Sequence, residues 1–272
     1  YVDALLARGL GIDDFAPRLA FFFGCHTHFL EELAKFRAAR RIWARLMTER
    51  YGAKDPRSSA LRFHVQTCGS TLTSQQPLNN VTRVSLQAMA AVLGGCQSLH
   101  TNAYDEALAL PSEESARIAL RIQQILALET GVPATVDPVA GSYAVEALTD
   151  EVEARVLALM ARVREQGGMI KAIQEGRAQA EIQDAAYKWQ KDVEQGRRKV
   201  VGVNCYQAAE PKRSGRPILK VSPKLEGEQV KRLAAFKRRR PAKAASAAVA
   251  ELARQAADPK RNLFPQVLAC AE

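Results

Sequence analysis

Histidine, cysteine, glutamine and glutamate side chains gather in three short polar segments: Gly24-Cys25-His26-Thr27-His28, Gln66-Thr67-Cys68-Gly69-Ser70 and Thr101-Asn102-Ala103-Tyr104-Asp105-Glu106. His26 and His28 are two residues apart. That is neither the i, i+4 pair of a zinc hydrolase helix nor a ligand spacing to cysteine, so no metal site is expected. His64 lies inside an apolar run, facing either a helix or the barrel interior, and the favoured reading is a hydrogen-bonded core histidine, whereas His100 ends such a run. Gln66 offers an amide that can bond a ligand amide or hydroxyl without carrying charge. Gly69 is either a turn glycine or a place where a large planar ligand approaches the backbone. Glu106 is the best-placed carboxylate; it opens the run Glu106-Ala107-Leu108-Ala109 and, at a helix start, would serve the helix dipole. Arg18 is either a surface charge or a phosphate ligand, the use to which arginine is best suited.

The elements that must hold these residues follow from the apolar pattern. Leu19–Phe23, Arg62–Val65 and Gln97–His100 read as buried strands, each breaking into one of the polar segments and then into a helix. Strand, loop, amphipathic helix, three times over, is the rhythm of a (β/α) barrel, in which ligands sit at the carboxyl ends of the strands. Phe29, Leu33, Phe36, Trp43 and either Leu46 or Met47 recur along one helical face. Further helices are expected over Asn80–Leu93, over Ser112–Glu129 with Ser112 as the N-cap, and over Thr149–Gln166 with Thr149 as the cap. Short helices over Met169–Glu175 and Ala180–Glu194 and a strand at Val200–Val203 come next. A connector at Glu210–Pro217, an apolar run at Ile218–Val221, and alanine- and basic-rich helices over Leu225–Arg240 and Ala242–Ala257 complete the chain. The expected division is a partial barrel over residues 1–176 and a mostly helical extension with a basic linker over 177–272.

The 272 residues are 47% hydrophobic and 25% charged, an ordinary globular composition, with no run long enough to span a bilayer and no signal-peptide pattern. The five cysteines show neither metal spacing nor a paired framework, which fits a reducing cytoplasm. The first residue is Tyr1 and the chain stops inside an apolar helical pattern, so both ends read as cut. The net charge of +10 is concentrated late, at Lys212, Arg213, Arg216, Lys231, Arg232, Lys237, Arg238, Arg239, Arg240 and Lys243. That segment has no aromatic platform beyond Phe236 and no nucleic-acid motif. The expectation is therefore a solvated basic tail facing an acidic partner or its own barrel, rather than a nucleic-acid site.

The wording of the segments carries a resemblance. PRLAFFFG (Pro17–Gly24), FLEELAKFRAARRIWARLM (Phe29–Met47), LRFHVQTCGSTLTSQQPLNNVTR (Leu61–Arg83), GGCQSLHTNAYDEALALP (Gly94–Pro111) and DPVAGSYAVEALT (Asp137–Thr149) resemble the large, catalytic subunit of the methylmalonyl-CoA mutase family. GGMIKAIQEG (Gly167–Gly176) and VVGVNCYQ (Val200–Gln207) continue it. The resemblance implies the carboxyl-terminal half of a TIM-type (β/α)8 barrel of α/β class, with the first half upstream, and an adenosylcobalamin-dependent radical rearrangement of an acyl-CoA. It also implies that Gln66, Gly69, Glu106 and Ala109 contact the cofactor and that Arg18 contacts coenzyme A. The family's substrate-facing tyrosine and histidine would lie upstream, so no catalytic acid or base is assigned here. Its cobalamin-ligating histidine motif, DxHxxG, is absent, so a separate cobalamin-binding domain or subunit is expected. Two departures bear on the acyl group: Ala20 stands where the family often has serine, and Cys68-Gly69-Ser70 replaces Ser-Gly-Trp. An isobutyryl-CoA or 2-hydroxyacyl-CoA mutase is the alternative within the enzyme class. A non-catalytic scaffold or cofactor-chaperone partner is the alternative outside it.

Overall fold

Burial alternates along the central strand: Phe63, Val65 and Thr67 are buried, while His64 and Gln66 between them are half-exposed. This two-residue period belongs to a strand with one covered face. The computed structural model describes residues 1–208 and 222–271 as a mixed α/β chain, mostly helical, in which β1 (Phe21–Cys25), β2 (Phe63–Thr67) and β3 (Ser98–His100) form a parallel sheet in chain order. Phe22 pairs with His64 and His64 with Ser98; one step on, Gly24 pairs with Gln66 and Gln66 with His100. β1 starts and ends two residues later than the apolar pattern predicts, because Pro17 belongs to a 3-10 turn, Ala16–Arg18, that delays it; β2 starts one residue later and ends two later, and β3 starts one later and ends at His100 as expected.

In chain order the helices before β3 are α1 (Val2–Leu6), α2 (Ile12–Phe15), α3 (Phe29–Arg45), α4 (Pro56–Ser59) and α5 (Asn79–Leu93). After it come α6 (Glu113–Leu128), α7 (Tyr143–Glu165), α8 (Gly168–Gln174) and α9 (Arg177–Glu194), then α10 (Pro223–Arg239), α11 (Ala242–Ala256) and α12 (Phe264–Ala271). The chain forms two units, Tyr1–Leu219 and Lys220–Glu272. In the first, α3 and α5 cover one face of the sheet. Phe36 of α3 stacks on Phe63 at 5.5 Å between ring centres, and Phe23 meets both edge-on, inside a core closed by Cys25, Leu61, Val65, Ala90 and Ala91. A second cluster, Leu72, Val84, Ala88, Ile122 and Leu126, joins α5 to α6. Nothing among the described residues covers the other face: Phe22 is 65% exposed, and Ser98 and His100 are exposed as well.

Outside the sheet, α3 and α7 are held by ion pairs. Arg37 binds Asp137 and Glu146, Arg41 binds Asp150 and Glu153, and Arg45 binds Glu153. Ser112 caps α6 as expected, accepting from the Ser115 N–H at 3.2 Å. Two expectations fail. Thr149 does not cap a helix; α7 begins at Tyr143, and the Thr149 hydroxyl bonds the Val145 carbonyl one turn back. Val200–Val203 is not a strand but a closed turn. The Asn204 side chain accepts from Val200 N–H and donates to the Val193 and Arg198 carbonyls, leaving one isolated bridge, Val201 to Cys205. The connector at 210–217 and the apolar run at 218–221 lie outside the described residues. In the second unit Ser222 caps α10, and α11 and α12 pack together, Gln266 donating to the Ala248 carbonyl at 3.0 Å. Among the described residues no helix is long and apolar enough to cross a membrane.

Candidate functional site

At the carboxyl ends of β2 and β3 the chain places one buried asparagine between the two strands. Asn102 is 1% exposed, and its Oδ1 accepts from Gln66 Nε2 at 3.3 Å and from the Thr67 hydroxyl at 3.2 Å. The Thr67 oxygen in turn accepts from the Asn102 N–H at 3.0 Å. Asn80, buried on α5, donates to the carbonyls of Thr73 and Tyr104 and fixes both loops from below. These bonds hold the members of the network in one arrangement, while Asn102 Nδ2, also buried, has no hydrogen-bond partner among the described residues.

Gly69 lies against this network. A Cβ there would stand 2.1 Å from Glu106 Oε1 and 2.9 Å from Asn102 Nδ2, so both side chains occupy the room that the glycine leaves. Burial pushes the Glu106 carboxyl above its ordinary range, with Asp105 adding to the rise, while His100 and the Asn102 amide draw it back. Glu106 does not start a helix. It belongs to a turn in which its N–H meets the Ala103 carbonyl at 3.2 Å and Ala109 N–H meets that of Asp105 at 3.1 Å; the next helix begins at Glu113. Gln66, Gly69 and Glu106 thus meet around Asn102, and Ala109 lies on the same turn.

Arg18 does not join them. It ends the 3-10 turn before β1, at the amino end of the sheet, where Arg62 reaches the Leu19 carbonyl. The five candidate residues therefore do not all gather at the carboxyl ends: β1 rises away from Arg18 before it reaches the loops.

The uncovered face carries residues that sequence pattern alone misassigns. His64 is not a core histidine: Phe63 and Val65 take the covered face, so the intervening side chain must take the other. There its Nδ1 meets Ser98 Oγ at 2.7 Å, and its ring tilts against Phe22 with centres 5.0 Å apart. Gly24 also looks onto this face, and a Cβ on it would stand 2.6 Å from Cys68 Sγ. Burial first, and the Glu32 carboxylate second, push the Cys25 and Cys68 thiols up, so neither is a thiolate near neutral pH. Glu32 accepts from His26 N–H at 3.0 Å, and Lys35 reaches both Glu32 and the Gly24 carbonyl, which fixes the loop after β1. Asn102 stands two residues past a strand end, but what marks it is its bond to Thr67 of the neighbouring strand, which no local pattern shows. The assembled groups are amides, a carboxyl, imidazoles and bare glycine, a set suited to binding and orienting a ligand rather than to nucleophilic attack.

Comparison with known proteins agrees with this architecture. The family model for methylmalonyl-CoA mutase matches residues 1–272. The chain is 52% identical over 204 residues to the 2-hydroxyisobutanoyl-CoA mutase large subunit of Aquincola tertiaricarbonis, covering 75% of this chain and 36% of that one. It is 44% identical over 272 residues to a methylmalonyl-CoA mutase of Rhizobium meliloti, covering 100% and 38%. With the mitochondrial methylmalonyl-CoA mutase of Homo sapiens it shares 48% over 202 residues, 74% of this chain and 27% of that protein. The chain spans about a third of the length of these relatives. With a match along its whole length and a parallel sheet whose loops gather Gln66, Gly69, Asn102 and Glu106, the chain belongs to the methylmalonyl-CoA mutase family.

Proposed function

We propose that this chain is part of the catalytic subunit of an adenosylcobalamin-dependent acyl-CoA mutase, acting in the cytoplasm on methylmalonyl-CoA or a close analogue. In this reading residues 1–176 are the carboxyl-terminal half of a (β/α)8 barrel and residues 177–272 its helical extension. The observation that carries it is the uncovered sheet face, bounded at its carboxyl end by the Gln66–Asn102–Glu106 group and at its amino end by Arg18. An acyl-CoA laid along that face meets a phosphate-binding cation at one end and uncharged hydrogen-bonding groups at the other. Family membership and the mutase names of the relatives support the same reaction class.

The residues fit the cofactor. Gly69 and Ala109 present little bulk to a flat macrocycle, and Glu106 and Gln66 offer oxygens and an amide to sugar hydroxyls. When bound, adenosylcobalamin supplies the radical that starts the carbon-skeleton rearrangement. Arg18 would hold a coenzyme A phosphate, and Gln66 and Glu106 would orient what lies at the carboxyl end. A second acyl specificity, for 2-hydroxyacyl-CoA, is favoured by the 52% identity to the 2-hydroxyisobutanoyl-CoA mutase subunit, and isobutyryl-CoA is the other alternative to test. Partners in this reading are the upstream half of the barrel and a separate cobalamin-binding domain or subunit.

The test supplies those parts and adenosylcobalamin, then follows conversion of methylmalonyl-CoA, 2-hydroxyisobutanoyl-CoA and isobutyryl-CoA. Turnover of one of them, lowered about a hundredfold or more by Gln66→Ala, is expected, since misplaced reacting groups cost that much. No turnover of any of the three, with binding of neither acyl-CoA nor cobalamin, would overturn the reading in favour of a non-catalytic scaffold.

A further inference from the structure

Helix α3, which packs on the covered face of the sheet, carries four arginines. Arg37, Arg41 and Arg45 all bind carboxylates of α7 or of the loop before it. Arg40 makes neither a hydrogen bond nor an ion pair among the described residues. Its side chain is half-buried and fills the space that Gly95 leaves at the turn between α5 and β3. A Cβ on Gly95 would stand 3.0 Å from Arg40 Cζ, and the φ of +81° there favours glycine as well. Beside the guanidinium opens a cavity of about 170 Å³, walled by Arg40, Val92, Gly95, Val132, Pro133 and Asp137 among others. It shares no residue with the Gln66–Asn102–Glu106 group or with the uncovered sheet face. Asp137 leaves Arg40 unpaired: its Oδ2 is held by Arg37, and its Oδ1 is buried without a partner.

We propose that this cavity binds a short aliphatic carboxylate, its two oxygens on the Arg40 fork and its hydrocarbon body against Val92, Val132 and Pro133. The inference goes beyond the acyl-CoA reading and does not rest on it. Burial disfavours the charge of Arg40, yet a guanidinium keeps that charge in proteins, so a bound anion restores what lost hydration took away. The planar fork matches a carboxylate with two parallel hydrogen bonds. A single negative charge suits the site. Asp137 acts on Arg40 more strongly than Arg37 does, and a dianion such as phosphate would meet that carboxylate with about twice the repulsion. The valine and proline walls offer a bare oxyanion nothing, whereas an alkyl chain covers them. At about 30 Å³ per water the room is that of five or six waters, or of a guest of about six heavy atoms such as butyrate. An occupant would also tie to α3 the loop through which the chain enters α7.

The experiment follows butyrate by ligand-observed NMR as it is titrated with the assembled enzyme. Saturable binding of about millimolar strength is expected for a ligand of this size. Arg40→Gln keeps most of the bulk and removes the charge, and it should weaken binding about tenfold or more, the worth of a charge-assisted hydrogen bond. Where that variant does not fold, Val132→Asp decides. It sets a carboxylate in the cavity wall from a half-exposed loop position and should weaken butyrate to a similar degree. Gln66→Ala should leave butyrate binding unchanged, which separates this site from the one at the strand ends. Butan-1-ol, with the same chain and no charge, and inorganic phosphate should each compete about tenfold more weakly than butyrate itself. No saturable binding by the parent overturns the inference, as does binding that neither cavity variant moves or that Gln66→Ala removes. Equal competition by butan-1-ol or by phosphate overturns the carboxylate assignment. Acyl-CoA binding by the same parent enzyme tests the acyl-CoA reading separately.

Discussion

Gly69 has no side chain, and two neighbours use the space it leaves. In Gly69→Ala the new methyl meets the mobile end of Glu106 and the buried amide of Asn102. Glu106 can swing outward, but Asn102, tied to Gln66 and Thr67, cannot. The expected cost is about 1–3 kcal/mol from overpacking, read as a lower urea midpoint. Cobalamin affinity of the assembled enzyme should fall by more than that stability loss accounts for. Unchanged cobalamin affinity in a folded variant would remove Gly69 and Glu106 from the cofactor site. Glu106 itself makes a pH prediction. Because burial raises its carboxyl above the ordinary value, the folded state holds this proton more tightly than the unfolded state does. Folding therefore gains from the group as pH falls to and below that raised pKa and loses by it at higher pH. Glu106→Gln should raise the denaturation midpoint at pH 7 and leave it nearly unchanged at pH 4. A lower midpoint at pH 7 would mean that the carboxylate, once ionised, is held by partners stronger than His100 and Asn102.

Helices α3 and α7 show how much an element can depend on contacts far away in the chain. Glu153 is 7% exposed and meets both Arg41 and Arg45 across the helix pair. Glu153→Ala leaves Arg45, well solvated, without its partner, and Arg41, less solvated, with Asp150 alone. The loss should be about 2 kcal/mol, below the range for a fully buried pair because water screens both arginines. Urea unfolding measures it, and a change under about 0.5 kcal/mol would show that solvent already carries these charges. The same contacts explain what the sequence pattern conveys and what it hides. Phe29 to Met47 and Asn79 to Leu93 are legible because their apolar faces repeat at helical spacing, and Ser112 is legible as a cap because its partner is three residues away. The start of α7 is not. Tyr143 is 95% exposed, and that first turn is held by Glu146 reaching Arg37 and the Gly141 N–H. Of those two contacts, the one to Arg37 is invisible to a local window. His64 fails for a related reason: its own strand alternates correctly, but which face is covered is decided by α3 and α5. At the site, Gln66, Gly69 and Glu106 are legible as loop residues after strands. Asn102 is not, because its meaning lies in a bond to the neighbouring strand. The opposite placement of Arg18 follows from the proline turn that delays β1.

At the scale of the whole molecule, one sheet face and two strand edges are unpartnered among the described residues, in a chain a third as long as its relatives. Parallel sheets are found covered on both faces, and exposed edges template association. The isolated chain should therefore self-associate at micromolar concentration and turn over no acyl-CoA. Sedimentation velocity and an assay with adenosylcobalamin read both, and a monomeric, active chain would overturn the half-barrel proposal. The basic segment makes a separate prediction. Lys231, Arg232, Lys237, Arg238, Arg239, Arg240 and Lys243 have no acidic residue among them between Glu228 and Glu251. Attraction to duplex DNA should be weak, independent of sequence and abolished by moderate salt. Tight binding that survives such salt would point to a nucleic-acid partner after all. The strand order has a consequence for synthesis on the ribosome. Because space repeats chain order, β1 then β2 then β3, each strand emerges to find its neighbour already made. The sheet can thus grow at one edge in step with translation, at about 5–20 residues per second. No strand has to wait, unpaired, for a later one to be inserted between it and its neighbour.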